Sequence, residues 1–325
     1  MKRGWMMAAA ALMCMAGMTA NAQPQPRPQA DLTEVPAFGS NPGNLQMFYY
    51  VPAQLPADAP LVVVAHGCLG SAHEIAVNSG WVELADRFHF ALVFPQTSKQ
   101  NEPWAGCFRT WEAAHQGRDA GEPLSVRQMV GYMQRLFPIS TSRTFMAGVS
   151  SGGHLTNVML AAYPEVFLAG APQSSFPYRC AMAATDLGPC AAGSREHSAS
   201  EWGDLVRAAR PDYTGPWPRV QLWHGELDPV IRPQGMQQLV LQWTNVHGID
   251  AVADREDDIL SHPRASYLSD DGQVQVEAIT VKGMAHAIAV DPGDGPAQCG
   301  KTDTFAADLD ICAAYWISEF FGIAD

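Results

Sequence analysis

Short, unbroken apolar runs, separated by longer stretches with a helical repeat, organise the chain beyond residue 42. Leu61 to Ala65 reads Leu-Val-Val-Val-Ala and Phe90 to Phe94 reads Phe-Ala-Leu-Val-Phe. Continuous runs of this kind mark strands buried on both faces. Met47 to Val51, Thr144 to Val149, Val220 to Trp223 and Val274 to Val281 extend the series of predicted strands. Trp81 to Phe88, Ser125 to Leu136, Gly152 to Tyr163 and Pro233 to Val246 carry helical patterns, Pro138 stops the second of these, and Asp310 to Phe321 predicts a terminal helix. Strands alternating with helices imply right-handed crossovers and an α/β fold, a mostly parallel central sheet with helices on both faces. Ligands of such sheets bind beyond the carboxyl ends of the strands.

Two stretches break the rhythm. Residues 23–42 are rich in Pro, Gln and Gly without a hydrophobic period, which predicts a flexible leader ahead of a domain over 43–325. Residues 174–218 carry Gly, Pro, Cys180, Cys190, Trp202 and Trp217 without a clear period, and read as a small cap inserted over the site. At the start, Lys2 and Arg3 precede an apolar run from Trp5 to about Met18 that closes on Ala20-Asn21-Ala22. That is the pattern of a secretory signal peptide over 1–22, and the run is shorter than the roughly 20 residues of a spanning helix.

Of 325 residues, 47% are hydrophobic and 16% charged, the balance of a globular protein with a large core. Twenty Lys and Arg stand against 33 Asp and Glu, a formal charge of -13 with no basic run. Such a surface repels phosphate backbones and anionic lipid, so neither nucleic acid nor membrane is an expected partner. Secretion changes the meaning of the cysteines. Cys14 leaves with the signal, and Cys68, Cys107, Cys180, Cys190, Cys299 and Cys312 remain for an oxidising compartment. Six cysteines allow 15 pairings; their order suggests Cys68 with Cys107, Cys180 with Cys190 and Cys299 with Cys312. No close Cys-x-x-Cys or His-x-x-x-His spacing appears, and no metal or other cofactor is expected.

The strongest chemical signal is Gly148-Val149-Ser150-Ser151-Gly152, followed by Gly153, between a predicted buried strand and a predicted helix. A serine in a strained strand-to-helix turn needs small neighbours, so the segment fits a nucleophile elbow. A hydroxyl also needs a general base held in the right tautomer by an acid, and on this fold the order is Ser, acid, His. Asp228, in His224-Gly225-Glu226-Leu227-Asp228 after a strand, is the expected acid, with Glu226 as competitor. His286, in Gly283-Met284-Ala285-His286 after the last strand, is the expected base; His154, His247 and His262 read as structural, Asp257 and Asp258 as solvated loop charges. Oxyanion donors are expected from the backbone N–H of Ser151 and, in His66-Gly67-Cys68-Leu69-Gly70, from that of Cys68.

Taken together, His66-Gly67-Cys68, Trp104-Ala105-Gly106-Cys107, the elbow, His224-Gly225-x-x-Asp228 and Gly283-Met284-Ala285-His286 resemble the polyhydroxybutyrate depolymerase family of esterases, related to feruloyl and acetylxylan esterases. The resemblance runs from about Met47 to Gly322. It implies an α/β-hydrolase with Ser150, Asp228 and His286 as triad, acting on a polyester or small ester. The chain departs from relatives in which Cys-Trp-Asn-Trp is frequent, having Cys107-Phe108-Arg109-Thr110-Trp111 instead. Many extracellular depolymerases carry a separate polymer-binding domain, and this chain shows none. Substrate contact is therefore expected from apolar residues around the site: Trp104, Phe108, Trp111, Tyr178 and Met284, with Trp202 and Trp217 as further candidates. The expected function is a secreted serine esterase cleaving poly(3-hydroxybutyrate) or its oligomers. A feruloyl or acetylxylan esterase is the alternative; an inactive hydrolase-fold binding protein is the alternative of another class.

Overall fold

The computed structural model describes residues 31–324, so the expected signal peptide lies outside the described residues. Strands are β1 Thr33–Val35, β2 Gln46–Tyr50, β3 Ala59–Ala65, β4 Ala91–Gln96, β5 Ile139–Val149, β6 Ala169–Gln173, β7 Arg219–Gly225, β8 Arg255–Ile259, β9 His262–Leu268, β10 Val274–Val281, β11 Ile288–Val290 and β12 Ala306–Asp308. Helices are α1 Ala72–Asn78, α2 Trp81–Phe88, α3 Gly121–Leu136, α4 Ser151–Ala162, α5 Leu187–Ala191, α6 Ala199–Arg207, α7 Gln234–His247 and α8 Ala313–Phe320. Ten strands form one sheet in the order β1-β2-β4-β3-β5-β6-β7-β10-β9-β8, and β11 pairs with β12 apart from it. The run from β4 to β10 is parallel, flanked by antiparallel strands at both edges. This is the mostly parallel sheet that the alternation predicted, in the α/β-hydrolase arrangement that the resemblance implied.

Each central strand feeds two cores. On β3, Leu61, Val63 and Ala65 face the layer containing Val126 of α3, Leu155 of α4 and Trp243 of α7. Val62 and Val64 face the opposite layer, with Ile75 of α1, Leu84 of α2 and Ile317 of α8. Period-2 alternation therefore produces two apolar faces, which is why these strands read as continuous apolar runs. In α4 every residue after Ser151 is buried, so the helix directly behind Ser150 is locked on all sides.

Three expectations change. The leader does not extend to 42: β1 pairs antiparallel with β2, Val35 and Phe38 are buried, and the Asn41 N–H donates to Gln128 Oε1 at 2.9 Å. Residues 174–218 form α5, α6 and a 3-10 turn around a satellite core of Phe176, Cys180, Cys190, Trp202 and Ile231, with α6 packed on α7. Phe176 and Trp202 are consumed by that packing and Tyr178 by the main core, and the segment supplies no wall to the cleft described below. Asp257 and Asp258 belong to edge strand β8, where Asp257 takes a bidentate contact from Arg264 at 2.7 Å. The three disulfides pair as their order suggested.

Candidate active site

At the carboxyl end of β5 the chain reverses into α4 within one residue. Ser150 sits at φ 56°, ψ −119°, a conformation that side chains other than glycine adopt at a cost. The neighbouring glycines make the turn possible. A Cβ on Gly148 would strike the Gly152 carbonyl, and one on Gly152 would strike the carbonyls of Ala65 and His66. One on Gly153 would lie 2.6 Å from the Gln173 carbonyl, the oxygen that accepts the Ser150 N–H at 2.9 Å.

Ser150 Oγ lies 2.9 Å from His286 Nε2, and His286 Nδ1 lies 2.7 Å from Asp228 Oδ2. With the Nδ1 proton given to the carboxylate, Nε2 is left to accept the hydroxyl proton. Asp228 is 1% exposed, and its other oxygen accepts the N–H groups of Val230 and Ile231 at 2.9 and 3.0 Å. Burial pushes its carboxyl upward, but the His286 bond and those two N–H groups outweigh burial and hold it below the ordinary range. The loops bearing acid and imidazole are zipped together: Glu226 N–H donates to Val281 O at 3.0 Å and Leu227 N–H to Met284 O at 2.9 Å. Glu226, the competing acid, instead accepts the Gly283 N–H at 3.0 Å. His224 is buried and kept below its usual range by that burial; its Nε2–H donates to Ile231 O at 2.8 Å. His154 and His262 are structural as expected, bonding Thr110 and Leu309.

The loop expected to supply the second oxyanion donor passes beside the nucleophile, since a Cβ on Gly67 would lie 3.3 Å from Ser150 Cβ. Four contacts fix it. Cys68 is bridged to Cys107, Leu69 N–H donates to Ala105 O at 2.7 Å, and His66 Nδ1–H donates to Gly67 O at 2.6 Å while Nε2 accepts the Thr97 N–H at 3.3 Å. Burial lowers His66 to about 4, so the ring is neutral as this pattern requires. The opposing loop is itself held by buried Glu102, whose carboxylate accepts the N–H groups of Trp104 and Ala105 at 3.0 and 2.7 Å. Ser151 N–H opens α4, where no carbonyl of the preceding turn of the helix exists to take it.

A cleft of about 420 Å³ opens over Ser150 and His286, with Leu69, Ile75, Val230, Ile288 and Phe305 as its apolar lining. None of the expected contact residues lines it. Phe108 is fully buried against His66 at 4.9 Å between ring centroids, Tyr178 is buried with its hydroxyl on Gln116 O, and Met284 packs in the core. Trp202 is buried too, Trp111 is half-buried on the satellite core, Trp217 meets Tyr213 edge to face, and Trp104 is exposed outside the lining. The wall comes instead from α1 and from 303–306, whose sequence Asp-Thr-Phe-Ala carries no signal of its own. The sequence motif around Gly225 did not show why a glycine stands there: a Cβ would strike the carbonyls of Met284 and Ala285 and push the His286 loop away.

The family model described as "Esterase PHB depolymerase" matches residues 45–259, about two thirds of the chain. The chain belongs to this esterase family. It is accordingly a carboxylic ester hydrolase. It is 41% identical over 292 residues to "Poly(3-hydroxyalkanoate) depolymerase C" of Paucimonas lemoignei, covering 90% of this chain and 70% of that one. It is 33% identical over 269 residues to "Feruloyl esterase B" of Talaromyces funiculosus, covering 81% and 74%. Among solved structures, the acetyl xylan esterase from Aspergillus awamori superposes with a TM-score of 0.75 at 25% identity, covering 90% of this chain and 99% of that one.

Proposed function

We propose that this esterase is secreted and cleaves short-chain polyester, poly(3-hydroxybutyrate) or its oligomers, through an acyl-enzyme on Ser150. The observation that carries the mechanism is the continuous line from Ser150 Oγ through His286 to Asp228, at 2.9 and 2.7 Å. In the proposed reaction Ser150 Oγ attacks the ester carbonyl as His286 Nε2 takes its proton, and Asp228 stabilises the imidazolium. The N–H groups of Cys68 and Ser151 hold the oxyanion, each contributing about 10² to 10³ in rate. His286 then returns the proton to the leaving alkoxide, and a water deprotonated by the same ring releases the acid. Asp228, held ionised, suits its partner's change of charge.

Support for the polymer comes from the mouth of the cleft. Leu69, Val230 and Phe305, which line the cleft, are 61%, 56% and 48% exposed. Large apolar side chains left in water around a site fit an uncharged, water-poor substrate. The depolymerase named for Paucimonas lemoignei supports the same reading. Three disulfides support an oxidising compartment, and among the described residues no helix is long and apolar enough to cross a membrane.

Likeness to acetyl xylan and feruloyl esterases favours a second reading, in which the same machinery serves a plant-wall ester. Chromatography of products from amorphous poly(3-hydroxybutyrate), methyl ferulate and acetylated xylan separates the two. Hydroxybutyrate monomer or dimer from the polymer, lost by at least about 10³ in Ser150→Ala, is the expected result. Ferulate or acetate with the polymer untouched would sink the polyester assignment.

A further inference from the structure

Phe305 brings a phenyl ring to the cleft, and the fold ties it to the imidazole of His286. Two residues after His286, the Ile288 N–H donates to Phe305 O at 2.9 Å, and β11 runs parallel to β12 with Ile288 beside Ala306. Around Phe305 the backbone is closed by a reciprocal pair, Asp303 N–H to Ala306 O at 2.9 Å and Ala306 N–H to Asp303 O at 3.1 Å. The stretch leading to it is sewn to α1 and α2: Lys301 N–H donates to Asn78 O at 3.0 Å, Gly300 N–H to Glu83 Oε2 at 3.1 Å, and Cys299 is bridged to Cys312. A backbone held this way presents the ring at a fixed place. The ring itself belongs to none of the three apolar cores of the described residues and is 48% exposed, so folding leaves one face of it in water.

The chemistry assigns a side of the substrate to that face. In the proposed reaction His286 Nε2 returns its proton to the leaving alkoxide, so the alcohol portion of the ester departs along the imidazole. Ala287, Ile288 and Phe305 are the lining residues joined to that imidazole by chain and hydrogen bond, and they flank the alcohol. The carbonyl oxygen is held instead by the proposed donors of Cys68 and Ser151. We infer that Phe305 is the specificity-determining contact for the alcohol portion, its exposed face covering an apolar alcohol larger than methanol. The inference rests on the esterase reading and on the role given to His286; in a polyester the same contact falls on the repeat unit at the alcohol side of the cleaved bond. Covering roughly 50 Å² of apolar surface favours the larger alcohol by about tenfold.

Two series of simple esters test this in the full chain. Methyl, butyl and benzyl butyrate vary the alcohol; methyl butyrate, hexanoate and octanoate vary the acyl group. In Phe305→Ala the butyl-to-methyl and benzyl-to-methyl ratios of kcat/KM are expected to fall by about tenfold from wild type, carried by KM, whatever the change in absolute rate. Comparing ratios between proteins cancels the intrinsic reactivity of each leaving group. The octanoate-to-butyrate ratio should move by less than about twofold. Phe305→Leu, which keeps part of the apolar face, should lie between, and carries the test if the alanine variant does not fold. Alcohol ratios unmoved by the substitutions, or acyl ratios falling as far as alcohol ratios, overturn the inference. The 3-hydroxybutyrate trimer left intact beside the expected ratios counts against the polyester reading alone; the trimer cleaved with the alcohol ratios unmoved counts against the role of Phe305 alone.

Discussion

A methyl group on Gly225 would occupy the space of the Met284 and Ala285 carbonyls, the backbone that delivers His286 to Ser150. Gly225→Ala is therefore expected to displace the imidazole, lowering kcat on a soluble ester by about 10² while costing about 1–3 kcal/mol of stability. Stopped assays beside a melting curve check this, and unchanged kcat in a folded variant would contradict it. The residue scale is also where sequence reading divided most sharply. Ser150, Asp228 and His286 were legible because each follows a strand whose apolar run fixes where the loop begins. The contact residues were not, because an aromatic looks the same in sequence whether buried or exposed. Phe108 and Tyr178 are packed out of water, and Phe108 serves the site only through His66.

Among elements, the loop 66–70 is held to the loop 104–107 by the Cys68–Cys107 bridge and the Leu69–Ala105 hydrogen bond. Replacing both cysteines by serine is expected to cost about 2–4 kcal/mol through the freed chain. Loosening one proposed oxyanion donor should also lower kcat by about tenfold or more, with little change in KM. Loss of stability with kcat intact would show that the bridge only staples the fold. Elements missed in the sequence share a cause. β6, Ala-Gly-Ala-Pro-Gln, is fully buried but built of small residues, because the Leu160 side chain lies where a Cβ on Gly170 would go. β8 is an exposed edge strand of Arg-Glu-Asp-Asp-Ile, held by pairing with β9 rather than by apolar burial. Neither shows the hydrophobic run by which the central strands are recognised.

For the whole molecule, the parallel strands bring Ser150, Asp228 and His286 together from the ends of β5, β7 and β10, 136 and 58 residues apart in their paired contacts. The same burial sets a pH dependence. His66, His154 and His247 are lowered to about 4 by burial, and His224 is lowered for the same reason. Unfolded, these rings take up protons below about 6.5, so between that pH and 4 the unfolded chain binds more of them and stability falls as the pH drops. Burial raises the carboxyls of Glu122 and Glu277, which bind protons in the folded chain first and oppose the trend. Four rings outweigh two carboxyls. Each ring contributes about 1.4 kcal/mol per pH unit within its window, so the melting temperature is expected to fall by several degrees from pH 6.5 to 4. A flat melting profile across that range would contradict the neutral buried rings.

The most direct test of the central claim is mass spectrometry of enzyme quenched in acid during turnover of a 3-hydroxybutyrate oligomer. An acyl adduct on the peptide containing Ser150, absent from Ser150→Ala, is the predicted result. Turnover without any adduct, sustained in Ser150→Ala, would contradict the account.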